Sequence, residues 1–106
     1  MKKILSDKET ILKLTELLTN LNVDNSYKVL EQIGDIKRNY GDYLITEPIN
    51  CEEELKRLEN ADYELCSALF TMLLREDHFC NGAFSQRVAA GQVEPIVLRM
   101  IRLIEG

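Results

Sequence analysis

The residues best suited to chemistry stand together in the last third of the chain. They are Arg75, Glu76, Asp77, His78 and Cys80, with Arg87 a short way on. His78 is the only histidine. A histidine titrates near neutral pH, so it can act as acid, base or metal ligand. His78 and Cys80 offer two ligands to a zinc ion, and Cys66 or Glu76 could reach in with a third. Zinc takes four ligands, usually in paired short spacings. No such second pair exists here, so neither a metal nor any other cofactor is expected.

A Cys–His nucleophile is the next chemistry to weigh. His78 and Cys80 are two positions apart, a spacing that shares a face on a strand and diverges on a helix. Cys66 lies about three helical turns before His78 and cannot touch it along one straight helix. Only Asp77 or Glu76 stands near enough in sequence to orient the imidazole. A nucleophile without a clear orienting group makes a poor triad, and no catalytic residue is assigned. A small-ligand-binding or enzyme site remains open, built around Arg75, Asp77, His78 and Cys80 with Arg87 nearby. The same segment also reads as architecture. His78 and Phe79 suit a helix end, Cys80 a small apolar filler, and Phe79 and Phe84 anchors of a turn. Gly82 and Gly91 suit positions of positive φ.

The elements that must position these residues are helical almost throughout. Ser6-x-x-Glu9 is a capping box, followed by Ile11, Leu14, Leu18 and Leu21 at helical spacing. Asp24 or Asn25 suits the cap of a second helix, with Val29, Ile33, Ile36 and Tyr40 on one face. Gly34 inside that helix fits a close crossing, and Gly41 fits its end. Residues 43–49 read as an extended connection ending at Pro48. Asn50-x-x-Glu53 opens a further helix that runs to about Arg75, with a break near residue 60 left open. Glu52, Glu53 and Glu54 sit in its first turn, where the helix dipole favours them. Asn81-Gly82 marks a turn, and a short helix follows from about Ala83 to Ala90. Pro95 opens a final helix. Its run Ile96 to Ile104 is apolar nearly all round, with Arg99 and Arg102 as the polar side. A helix of that kind is either buried or covered by a partner. The expectation favours a partner, through Ile96, Val97, Met100, Ile101 and Ile104.

Composition bounds the class. The 106 residues make one domain, residues 1–106, with a net charge of −5. An acidic chain lacks the basic footprint that duplex nucleic acid requires. A helix-turn-helix from Leu65 to Arg75 and onward from Ala83 would offer only Gln86 and Arg87 as base readers. Nucleic acid is therefore an unfavoured partner. Three cysteines without a CxxC pair fit reduced intracellular thiols. Met1 to Leu5 starts like a leader, but Asp7, Lys8 and Glu9 follow at once and no apolar run continues. No stretch is long enough to span a membrane. A cytoplasmic location is expected.

The segment Leu74 to Phe84, with Gly91-Gln92-Val93 and the apolar end, resembles an uncharacterised family of small bacterial all-helical domains. The resemblance covers roughly residues 73–104 and rests on Arg75, Asp77, Phe79, Gly82, Gly91 and the run Leu98 to Leu103. It implies a helical fold and supplies no catalytic residue. The expectation is an all-α domain, an irregular bundle of about five helices. Its expected role is a non-catalytic module that self-associates or docks on a protein partner.

Overall fold

Helix α1 spans Asp7–Leu18 and starts at the capping box the sequence announces. The Glu9 amide donates to Ser6 Oγ at 3.2 Å, and the Ser6 amide donates to the Glu9 carboxylate at 3.1 Å. Two amides that a helix start otherwise leaves open are thereby satisfied. Leu14 and Leu17 turn into the core. The computed structural model describes residues 5–106. The leader-like residues Met1 to Ile4 lie outside the described residues.

Helix α2, Val23–Ile33, starts slightly before the cap expected at Asp24 or Asn25 and stops well short of Tyr40. Its cap is Asn22, whose side chain accepts from the Asn25 amide at 2.7 Å. Its end is Gly34 and not Gly41. Gly34 has φ 77°, and the Asp35 amide reaches back to the Leu30 carbonyl at 2.8 Å. That is a Schellman stop, which needs a left-handed residue. Gly34 therefore breaks the helix that sequence spacing carried to Tyr40. Ile36 and Tyr40 still pack against the core, from a connection and a 3-10 turn (Tyr40–Tyr43).

The long helix expected from Cys51 divides. Helix α3 is Cys51–Leu55, a 3-10 turn covers Lys56–Asn60, and helix α4 runs Tyr63–Phe79. Asp62 makes the break, since its side chain caps the new helix at the Leu65 amide, 2.8 Å away. α4 then continues four residues beyond Arg75. Helix α5 is Ala83–Ala89 and helix α6 is Glu94–Glu105. Six α-helices and no strand are found among the described residues, against about five expected. The split at Asp62 accounts for the extra one.

α4 is the central member. Every residue from Cys66 to Leu74 is buried, because α3, α5, α6 and the 3-10 turn at Tyr40–Tyr43 pack around it. α6 packs against both α1 and α4. Phe70 of α4 and Phe84 of α5 stack with centroids 6.1 Å apart and planes 8° from parallel. The 35–44 connection is fastened to α4 by polar contacts. The Lys37 amide donates to Thr71 Oγ1 at 3.2 Å, the Lys37 ammonium pairs with Glu64, and the Tyr63 hydroxyl donates to Asp35.

The expected partner surface on α6 needs correction. Ile96, Val97 and Met100 are fully buried within this one chain. They are covered by α1 and α4, so no partner is needed to hide them. Ile101 and Ile104 are half-buried at the margin of the core.

Candidate functional site

The side chains singled out by the sequence converge on the corner between α4 and α5, but they do not form one cleft. Arg87, on α5, is the centre. Its Nε and one terminal nitrogen grip the two oxygens of Glu76 on α4, at 2.6 and 2.8 Å. Its other terminal nitrogen donates to Glu52 at the start of α3, at 2.7 Å, and to the Gln92 amide oxygen at 2.8 Å. Gln92 closes the ring by donating back to Glu52 at 3.2 Å. Only a planar fork of five N–H donors can serve three acceptors in this way.

The electrostatics follow from that geometry. The Arg87 guanidinium holds the Glu76 carboxyl below the usual glutamate range, and it lowers Glu52 in the same way. Both carboxylates are ionised at neutral pH, and Arg87 is bound still more firmly to its proton by Glu76. Cys51 lies against Glu76. Burial, then the Glu76 charge, pushes its thiol up to about 11. Burial raises Cys66 to about 11 as well. Both remain thiols at neutral pH, and the thiol is not the nucleophilic form.

Asp77 has a different task. Its Oδ1 accepts from the Phe84 amide at 2.9 Å. α5 begins at Gly82, which carries no side chain to cap its own helix and holds φ 88°. Asp77 supplies the missing acceptor from the preceding helix, a capping role worth about 1 kcal/mol. Gly91 ends α5 with a second Schellman stop, the Gln92 amide donating to the Arg87 carbonyl at 2.9 Å.

The remaining candidates face outward. His78 and Cys80 are exposed, and Arg75 is half-exposed with no hydrogen bond or ion pair among the described residues. Phe79 is 85% exposed, its ring set edge-on to His78 at 5.3 Å. The expectation that Phe79 and Cys80 fill the corner is wrong. α4 stays helical to Phe79, and this phase turns residues 78–80 away from the core. Phe84 alone anchors the turn.

A cleft of about 330 Å³ does open here, lined by Glu52, Glu76, Cys80, Gln86, Arg87 and Gln92. Arg75, Asp77 and His78 do not line it. Its two carboxylates share the one Arg87 guanidinium, so the charged groups of the cleft are already paired with one another and leave a net charge of −1. No group of three or more His, Cys, Asp or Glu side chains is placed to hold a metal among the described residues. A base-reading role for Arg87 is also closed while it grips Glu76 and Glu52.

Sequence reading missed Glu52 and Gln92 as members of this ring, and it missed the burial of Glu54. Glu54 is fully buried, although it belongs to the acidic run that the helix dipole seemed to explain. Apart from Arg57, three residues on, its contacts lie 8 or 9 residues away in the preceding connection, and those of Glu52 lie 35 and 40 residues away. Local patterning carries no signal at such separations.

The family model described as Family of unknown function (DUF6508) matches residues 4–106. The chain belongs to that family. The DUF6508 match extends well beyond the stretch from 73 to 104 that carried the resemblance, and takes in α1, α2 and the Glu52 end of the ring. No curated protein and no solved structure matches the chain. The whole Arg87 ring thus lies within the DUF6508 unit.

The ring accounts for Arg87 as a staple of α3, α4 and α5. Arg87→Ala is expected to cost about 2 to 3 kcal/mol, because it strands the half-buried Glu76 and leaves Gln92 without its donor. Arg87→Lys should recover less than half of that, since one ammonium cannot grip two oxygens side by side. Urea unfolding followed by circular dichroism measures both.

Proposed function

We propose that this domain is a non-catalytic protein-interaction module of the cytoplasm, which docks a partner through the exposed end of α4. One observation carries the reading. Phe79 stands 85% exposed at the tip of the longest helix, while Glu76, Asp77 and Arg87 behind it are engaged in holding the corner. A large exposed aromatic costs solubility and serves as an interface anchor when a partner covers it. His78, packed edge-on against the ring, broadens that anchor. Half-exposed Arg75 stands one helical turn before them, on the same side of α4, with its charge free.

Two observations support the setting. All three cysteines are free thiols, which fits a reducing compartment. No helix among the described residues is long and apolar enough to cross a membrane.

The test is a paired capture experiment from cells that express the chain, with wild-type protein and Phe79→Ser as baits. The partner should be retained by the wild type and reduced at least about tenfold with the variant, as expected for the loss of an aromatic anchor. Melting temperature should not fall, because Phe79 contributes little to the core. Equal capture by both baits would defeat the proposal.

A further inference from the structure

The outer face of α6 carries a second surface, distinct from the Phe79 tip. The core takes Ile96, Val97 and Met100. On the opposite side stand Glu94, Pro95, Leu98, Arg102 and Glu105, all exposed, with Ile101 at the edge. Leu98 is 48% exposed, one of the few large apolar side chains left in water. A shallow depression of about 530 Å³ runs beside it.

The order of these residues has a symmetry. Counting outward from Leu98, Pro95 and Ile101 lie three positions away on either side. Glu94 and Arg102 lie four positions away, and they carry opposite charge. A two-fold axis through Leu98 therefore makes the face complementary to itself. In an antiparallel pair of α6 helices, Leu98 meets Leu98 of the second copy. Pro95 then meets Ile101, and Glu94 meets Arg102, twice over. Closed two-fold contacts of this kind are the commonest form of self-association. Neither Glu94 nor Arg102 has an ion-pair partner among the described residues, so both charges are available for the exchange.

We infer that the outer face of α6 is a homodimer surface whose occupant is a second copy of this chain, arranged antiparallel about Leu98. The area sets its strength. A helix of twelve residues is about 18 Å long, too short for the roughly 800 Å² per partner of a standard interface. The dimer is weak and in exchange with monomer. Its charged rim makes it sensitive to salt, since pairs at an exposed edge are screened.

Sedimentation velocity on the full chain, from about 5 to 500 μM, spans the weak-interface range and tests the arrangement. Wild type should shift from monomer toward dimer, and Leu98→Glu should stay monomeric because it sets two like charges on the axis. Glu94→Arg and Arg102→Glu should each weaken the dimer about tenfold, by making like-charge contacts. The double variant Glu94→Arg/Arg102→Glu should return to within about threefold of wild type. Circular dichroism melts should show all four folded, with only small losses where Glu94→Arg and Arg102→Glu reverse charges that suit the ends of α6. A wild type that remains monomeric throughout, or a dimer indifferent to Leu98→Glu or unrestored by the double swap, overturns the arrangement. Any of those results leaves the Phe79 proposal standing, because that surface lies at the end of α4.

Discussion

Glu54→Ala should be among the most damaging single substitutions in the chain, at about 3 to 5 kcal/mol. The side chain is fully buried and its carboxylate is crowded with donors. One oxygen accepts from the Ile45 amide at 2.9 Å, the Thr46 amide at 2.7 Å and the Thr46 hydroxyl at 2.5 Å. The other accepts from Arg57 at 2.8 Å, and that same nitrogen also holds the Tyr43 carbonyl at 2.8 Å. Removing the carboxylate leaves two amides and a guanidinium without their acceptor. The cost is large because it is the cost of stranded donors, beyond the loss of one pair. Glu54→Gln keeps an acceptor but not the charge, and should fall between. Urea unfolding reads the free energy, and limited proteolysis should cut between residues 43 and 50 first. A loss below about 1 kcal/mol would show that the buried group is dispensable.

The same site gives the domain an acid limit. Burial opposes ionisation of Glu54, yet the hydrogen bonds from Thr46, Arg57 and Ile45 outweigh it and lower its pKa below the ordinary 4.5. A carboxyl whose folded pKa is depressed binds protons more readily when unfolded. Its stabilisation is complete above about pH 4.5 and is lost as pH falls through the lower folded value. Glu76, lowered by Arg87, adds to the loss in the same window. Stability measured downward from pH 6 should therefore drop below about pH 4.5, and Glu54→Gln should flatten part of that fall.

The second large effect separates two phenylalanines that the sequence treats alike. Phe84→Ala should cost about 3 to 5 kcal/mol, as a buried aromatic leaving a cavity. It is fully buried and stacked on Phe70. Phe79→Ala should change stability by less than about 0.5 kcal/mol, as a surface substitution. Thermal or urea unfolding of the two variants side by side is sufficient. Similar losses in both would mean that Phe79 packs inward and that the α4 tip is not free.

This contrast shows where local pattern ends and tertiary context begins. Caps and stops are local, and they were legible. Ser6 with Glu9, Asn50 with Glu53, Gly82 and Gly91 all act through neighbours a few residues away. Gly34 was legible as an unusual residue, but its role depends on whether the chain turns there. That choice is made by the 35–44 connection docking on α4 through Thr71 and Glu64. The apolar run of α6 left open whether the chain's own helices or a partner cover it, and α1 and α4 resolve that for Ile96, Val97 and Met100. The ring around Arg87 was legible in two members, Glu76 and Arg87. Glu52 and Gln92 are ordinary surface residues until α3 and α5 meet. His78 and Cys80 drew notice by rarity, which is a property of composition and not of position.

The proposed docking surface is the α4 tip, with Glu76, Asp77 and Arg87 behind it as its scaffold. The most direct measurement places a photo-reactive phenylalanine analogue at position 79 in living cells, with the same analogue at Leu12 as control. Leu12 is also exposed, at 56%, but lies on α1. Irradiation should join position 79 to one discrete protein, in a band absent from the Leu12 control. No adduct at position 79, or the same diffuse products at both positions, would contradict the account.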